Sequence, residues 1–190
     1  MVRFATIPGS GLYTPQRSST GTMRIELRPA VPADAPALAA IYNEGIAERE
    51  ATFETRPRSA AEVVGWIAEG RPFLVATDGE GAIAGFARVS AYSARPVYAG
   101  VGEHGVYVAR AARGRGAGLA LLLGLCDAAE RAGYYKLTSR VFASNAASRA
   151  LHRAAGFEEV GVQRRHGRLD GEWRDCVLVE RLLGEAADAH

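Results

Sequence analysis

The sequence predicts a mixed α/β domain of the α+β kind, with helices packed on one central sheet. Three observations lead there. Seven short alternating or β-branched runs are interleaved with four segments of helical spacing. Their order is β-α-α-β-β-β-α-β-α-β-β, with no internal repeat and no linker. Finally, the run Val106-Tyr107-Val108 passes through a short basic, glycine-rich link straight into a helix.

Met23 opens Arg24-Ile25-Glu26-Leu27-Arg28, an alternating first strand. Asp34 is placed to cap a helix in which Leu38, Ile41, Tyr42 and Ile46 keep the helical period. The stretch from Ala51 ends in a proline-containing turn at Arg58. Ser59 with Glu62 three residues on forms a capping box for a second helix carrying Val63, Trp66 and Ile67. Pro72 to Thr77 and Ala82 to Ser90 are strands joined by the hairpin turn Asp78-Gly79-Glu80-Gly81. A loop from Ala91 to Gly100 precedes a strand from Val101 to Ala109. The long helix from Gly114 to Ala132 puts Leu119, Leu122, Leu123 and Cys126 on one face, and Gly133 ends it. Tyr135 to Phe142 is a strand, and Asn145 to Ala155 a helix stopped by Gly156. Two last strands run from Glu158 to Arg165 and from Trp173 to Leu182, with Leu169-Asp170-Gly171 in the turn.

The chain has 190 residues, enough for one full core and too few to expect two domains. Its 48% hydrophobic content is that of a globular protein, and a net charge of +2 makes no demand for nucleic acid or membrane. Cys126 and Cys176 sit in apolar runs without metal-ligand spacing, so free buried thiols in a reducing cytoplasm and no metal are expected. No run of about 18 apolar residues suggests a membrane span. Residues 1–22, rich in Gly, Ser, Thr and Pro and without a signal-type apolar core, read as a disordered extension. The folded domain is expected over 23–184, with 185–190 as a tail.

The chemistry-bearing stretch is Val106 to Leu119, VYVARAARGRGAGL. Glycines at a strand-to-helix turn let a ligand approach the backbone. The free N–H groups of the helix start, with the helix dipole, favour an anion. Arg110, Arg113 and Arg115 add positive charge. A nucleotide-triphosphate loop would need Gly-Lys-Ser or Gly-Lys-Thr, but the single lysine, Lys136, lies elsewhere. The spacing of Gly114, Gly116 and Gly118 also differs from the dinucleotide fingerprint.

Arg113, Gly116 and Gly118 after a VYV strand resemble the pyrophosphate motif of the GNAT N-acetyltransferases, which use acetyl-CoA. A second signature, NAASRALHRAAGF, resembles the same family through Asn145, Gly156 and Phe157, with His152 where many members have Tyr. The resemblance runs from Arg24 to Leu183. It implies a mostly antiparallel, splayed sheet of about seven strands flanked by about four helices. Within the family, ARPVYAGVGEHGVYV resembles the phosphinothricin, methionine sulfoximine and arsinothricin N-acetyltransferases through Arg95, Tyr98 and Glu103. The segment GRLDGEWRD, with Trp173 and Asp175, adds to that likeness, whereas His104-Gly105 departs from the usual pair. Gly100 and Gly102 read as loosening the strand.

Acetyl transfer to an amine needs a base, a polarised thioester, an exit for the thiolate and close positioning of both reactants. Alternation puts Glu103 on the Tyr107 face of its strand, so Glu103 is the candidate base. His152 is the candidate acid for the thiolate, or a wall of the cofactor channel. The resemblance assigns cofactor binding to Val106, Tyr107, Val108, Arg113, Gly114, Arg115, Gly116, Ala117, Gly118, Leu119 and Asn145. An N–H of the Val106–Val108 run would polarise the thioester. Arg95 suits a substrate carboxylate through its planar fork, and Phe53, Tyr92 and Tyr98 are placed to shape that pocket. The basic cluster Arg164, Arg165, His166 and Arg168 reads as a solvated hairpin, since no aromatic residues interleave it.

The expected activity is acetylation of the α-amino group of a small glutamate analogue, with a resistance role and a homodimer implied by the resemblance. Two alternatives stand beside it. One is a protein N-terminal or lysine acetyltransferase, against which Arg95 and Tyr98 argue. The other is a non-catalytic acyl-CoA-binding regulatory module, which would need no Glu103.

Overall fold

The computed structural model describes residues 24–188. The expected disorder of 1–22 therefore falls outside the described residues. The strands are β1 (Glu26–Pro29), β2 (Phe73–Thr77), β3 (Ile83–Ala91), β4 (Val101–Val108), β5 (Lys136–Phe142), β6 (Glu158–Leu169) and β7 (Glu172–Leu182). The helices are α1 (Ala35–Glu48), α2 (Ala60–Ala68), α3 (Ala117–Arg131), α4 (Ala146–Ala154) and a final turn α5 (Glu185–Asp188) within the expected tail. The sheet order is β1-β2-β3-β4-β5-β7-β6. Every pairing is antiparallel except β4 with β5.

That one parallel pairing shapes the molecule. It holds only from Val101↔Lys136 to Glu103↔Thr138. Beyond it β4 stays on β3 as far as Val108↔Gly85, and β5 stays on β7 as far as Phe142↔Cys176. The sheet therefore splits immediately after Glu103. Strand twist accumulates between neighbours, and a short parallel contact leaves the two halves free to diverge.

Alternation along β2 and β3 sends residues into two cores. Phe73, Val75 and Phe86 pack with Leu38, Ile41 and Val63 of α1 and α2. Ala76, Ala87 and Val89 pack on the other face with Leu121, Leu122 and Leu125 of α3. Each fully buried leucine contributes about 1.5–3 kcal/mol from removal of apolar surface from water. The buried stripe of α3 is Leu121, Leu122, Leu125, Cys126 and Ala129, while Leu119 and Leu123 are only partly buried. The expected face is thus turned by part of a helical step, because Gly118 and Gly124 let Leu151 and Leu27 approach closely on the flanks.

The capping box at α2 forms as expected, with Ser59 Oγ accepting from the Glu62 N–H and the Ser59 N–H donating to Glu62. Asp34 does not cap α1 with its side chain. A 3₁₀ turn, Pro32–Asp34, precedes the helix, so Asp34 is already helical rather than extended as an N-cap must be. Its carboxylate instead accepts the Val31 N–H and two Arg28 bonds at 2.7 Å. Arg28 holds that carboxyl below the usual range.

Gly100 and Gly102 do not loosen β4. A Cβ at Gly100 would stand 2.3 Å from the Tyr135 ring, and one at Gly102 would stand 2.6 Å from Val89. Both are glycine because side chains press on the backbone there. The last hairpin is longer than the sequence pattern indicates: β6 runs to Leu169, whose side chain is buried, and only Asp170 and Gly171 turn. Cys126 and Cys176 are free and buried.

Candidate active site

The split sheet opens a cleft of about 960 Å³. One wall is β4 from Glu103 to Val108, and the other is Ser139 to Phe142 of β5 with Asn145, Ser148, Leu151 and His152. Ile41, Tyr42 and Gly45 of α1, Trp66 of α2, and the segment Glu50 to Glu54 close one end. Gly114, Gly116, Ala117, Gly118 and Leu119 form the other.

The glycine end is built from backbone. Gly114 and Gly116 have φ of +74° and +91°, a region that side chains disfavour, and no atom lies within 4 Å of where a Cβ would stand at either. Gly116 is the N-cap of α3, and the first N–H to find a helical partner is that of Ala120, on the Gly116 carbonyl. The preceding N–H groups of the first turn have no intrahelical acceptor and face an anion-favouring dipole. Arg113 lines the cleft but is tied back: it donates to Glu48 at 2.8 and 3.1 Å and to the Val108 carbonyl at 3.2 Å. Arg110 also binds Glu48, whose carboxyl is held low by Arg113 first and by Arg110 second. These arginines clamp the link onto α1. Arg115 is exposed and is not part of the cleft wall.

At the split, Glu103 points into the cleft and pairs with Arg140 of β5 at 3.0 Å. Ser90 Oγ donates to the Glu103 carbonyl at 3.2 Å. Tyr107, two positions beyond Gly105 on the same face, stacks on Phe86 and leans on Tyr42, with ring centroids 5.2 and 4.6 Å apart. Burial raises its phenol well above the usual range, so it stays neutral.

His152 belongs to a buried pair. Its Nδ1 lies 2.7 Å from the Ser148 carbonyl, which can only accept, so that nitrogen carries the proton. Nε2 of His152 is then an acceptor, and Nε2 of His104 donates to it across 3.0 Å. Burial, then the neighbouring His152, pushes His104 down to about 3, and burial lowers His152. Both rings are neutral near pH 7. In this arrangement the proton of His152 is held on the Ser148 carbonyl and its other nitrogen accepts from His104.

Asn145 caps α4: its Oδ1 accepts the Ser148 N–H at 2.9 Å, and its Nδ2 donates to the Glu50 carbonyl at 2.9 Å. The side chain thus ties the segment after α1 to α4. Phe53 in that segment lines the cleft, packs edge-on against Phe142 at 4.7 Å and lies over Gly167. The three other expected acceptor-pocket residues are elsewhere. Tyr92, Arg95 and Tyr98 cluster on a 3₁₀ loop outside the cleft wall, with Tyr92 and Tyr98 42% and 37% exposed. Arg95 stacks on the Tyr98 ring at 5.7 Å. Pro96 turns that loop along the surface before β4 begins. Trp173, 51% exposed, stacks under Arg168, and Asp175 accepts the Arg165 N–H.

Among the cleft residues that the sequence did not assign to the site are Arg88, His104 and Arg140. Arg88 had a readable signal, since it alternates with Phe86 and Ser90 on the face of β3 that looks toward Glu103. Among the described residues no group of three or more His, Cys, Asp or Glu is placed to hold a metal. No described helix is long and apolar enough to cross a membrane.

Comparison with known proteins agrees with this architecture. The profile described as "Acetyltransferase (GNAT) family" matches residues 38–157. The phosphinothricin N-acetyltransferase of Streptomyces coelicolor is 37% identical over 169 residues, covering 86% of this chain and 99% of the relative. A phosphinothricin acetyltransferase from Sinorhizobium meliloti, solved with AcCoA, superposes with a TM-score of 0.81 at 34% identity, covering 90% of this chain and 93% of the other. A ribosomal-protein-alanine N-acetyltransferase structure from Brucella melitensis gives 0.78 at 34% identity, with 83% and 99% covered. With its split sheet, its glycine-capped α3 and these matches, the chain belongs to the GNAT family of acetyltransferases.

Proposed function

We propose that this protein transfers the acetyl group of acetyl-CoA to the α-amino group of a small amino-acid-like acceptor. A glutamate analogue of the phosphinothricin, methionine sulfoximine or arsinothricin type is the expected substrate, in a resistance or detoxifying role. The observation that carries the reading is the position of Glu103. It stands where β4 leaves β5, with an anion-favouring glycine turn at the far end of the same cleft.

The residues fit the cofactor's parts. Gly114, Gly116 and the first-turn N–H groups of Ala117, Gly118 and Leu119 would hold the diphosphate. The edge of β4 from Val106 to Val108, no longer paired with β5, would carry the pantetheine arm through backbone hydrogen bonds. When bound, acetyl-CoA supplies the thioester carbonyl and the thiolate leaving group. Glu103 accepts the proton of the acceptor's ammonium, directly or through a water, freeing its lone pair. Arg140 holds the carboxylate in position for this. His152 and His104, a hydrogen-bonded pair, line the cleft wall, and Phe53 would cover the acceptor end. Glu103, once protonated, or solvent would return a proton to the departing sulfur.

The Brucella neighbour favours one second reading, acetylation of a protein N-terminus. A panel of amines assayed for CoA thiol release separates them. The panel holds phosphinothricin, methionine sulfoximine, glutamate and a ribosomal-protein N-terminal peptide. Amino-acid acceptors should turn over fastest; a preference for the peptide would replace the proposal.

A further inference from the structure

Four arginines line the cleft, and three of them are neutralised. Arg58 is held by Glu54 and Glu62, Arg113 by Glu48, and Arg140 by Glu103. Arg88 is the exception among the described residues. It is half-buried, its Nη1 is shielded from solvent, and that nitrogen has no hydrogen-bond partner. Its guanidinium carbon lies over the Trp66 ring, 4.5 Å from the centroid, a contact that makes no hydrogen bond to Nη1. The carboxylate acting on it most strongly, Glu69, is bound to Arg71 at 2.6 Å. A buried donor of a charged group left unmade is costly, and native structures keep such groups for a reason.

The surroundings say what fits. Arg88 sits on β3 directly opposite Gly105 of β4, on the face shared by Ser90, Glu103 and Tyr107. Gly105 contributes no side chain, and a Cβ there would press on the Tyr107 ring at 3.2 Å. The Tyr107 ring lies against Gly105, and the cleft beside it is lined by Arg88 and Ser90 on one strand and, two residues along the other, by Glu103. Diagonal positions on paired strands lie about 7–8 Å apart at the backbone, within reach of two long side chains aimed at one small molecule.

We infer that Arg88 determines acceptor specificity by pairing with an anionic oxygen group of the acceptor while Glu103 faces its amine. The inference rests on the acetyl-transfer reading. It gives the anion-recognising role to a residue inside the cleft and not to the Arg95 loop. The anion can come from the α-carboxylate or from an acidic side chain, and the test separates these sources.

The test compares wild type, Arg88→Gln, Arg88→Lys and Arg95→Ala with four acceptors. L-Glutamate carries both acids, 4-aminobutanoate only the distal one, L-2-aminobutanoate only the α-carboxylate, and butylamine none. Arg88→Gln should raise KM roughly 10- to 100-fold for acceptors whose acid sits on Arg88. Butylamine and acetyl-CoA should change less than about threefold, the scale at which no charge-assisted bond is lost. Arg88→Lys should recover part of the loss, and Arg95→Ala should have little effect. A penalty on 4-aminobutanoate assigns the distal acid, and one on L-2-aminobutanoate assigns the α-carboxylate; either supports the inference. Equal losses on all four acceptors, no loss on any, or the same penalty from Arg95→Ala would overturn it. Calorimetric titration of L-glutamate into each CoA-saturated protein needs no turnover. Undiminished binding by Arg88→Gln overturns the Arg88 role alone. No acetylation of any acceptor by wild type overturns the acetyl-transfer reading instead.

Discussion

The two ends of the cleft are made of different materials. The glycine end is backbone: two left-handed glycines and the free amides of α3, with arginines that serve mainly to clamp the link onto Glu48. The acceptor end is side chain: Glu103, Arg140, Arg88, Trp66 and Tyr42 drawn from β4, β5, β3, α2 and α1. A backbone site depends on a local sequence, because only glycine tolerates those dihedrals. A side-chain site depends on which distant residues the sheet brings together. The first kind is expected to be shared across a fold family, and the second is where acceptor choice can vary.

If that division holds, substitutions at the two ends should move different constants. Glu103→Gln should give the largest effect, a fall in kcat of roughly 10²–10⁴, the usual range for a lost general base. A loss within a few-fold at neutral pH would remove Glu103 from the mechanism and leave the acceptor end without its central residue.

The His104–His152 pair lies on the wall between the ends and should be felt in stability. Burial depresses His104 to about 3 in the folded chain, against an ordinary value near 6.5 in the unfolded one. The unfolded state therefore binds the proton first as pH falls. The stability held above about pH 6.5 is lost progressively down to about pH 3. At pH 5 the loss from His104 alone is about 2 kcal/mol. Unfolding free energies from urea titrations at pH 7.5 and 5.0 should differ by that amount more in wild type than in His104→Leu. The variant itself should be weaker at pH 7.5 by about 1–3 kcal/mol, since His152 Nε2 loses its donor. Parallel pH slopes in the two proteins would show that the pair is not neutral and buried in solution.

The smallest effect should come from the clamp. Glu48→Gln breaks ion pairs to arginines that are largely exposed, so it should cost only about 0.2–1 kcal/mol. Acetyl-CoA affinity should not fall, because Arg113 is released toward the phosphate end. A marked fall in affinity would mean that the link must be pinned to α1 for the glycine turn to form.

The same contrast explains what the sequence revealed. Element order, the Ser59–Glu62 box and the Arg113-to-Gly118 turn were legible because each is encoded within a few residues. That Glu103 faces the cleft was legible from alternation with Tyr107 and from the family likeness. The placing of the Arg95 loop outside the cleft was not. Arg95 and Tyr98 lie close to Glu103 in sequence, yet Pro96 carries their loop over the surface. Arg88 is 15 residues from Glu103 and becomes its neighbour only through the β3–β4 register. The Asp34 cap failed for a similar reason: Arg28, on the preceding strand, competed for the carboxylate.

The central claim is that cofactor holding and acceptor chemistry are separable along one cleft. Calorimetric titration of acetyl-CoA into wild type, Gly116→Val and Glu103→Gln tests it directly, with no acceptor present. Gly116→Val should bind at least about tenfold more weakly, since a branched side chain at φ +91° costs on the order of 1–3 kcal/mol or displaces the turn. Glu103→Gln should bind as wild type does. Weakening by Glu103→Gln equal to that of Gly116→Val, or unchanged affinity in Gly116→Val, would contradict the account.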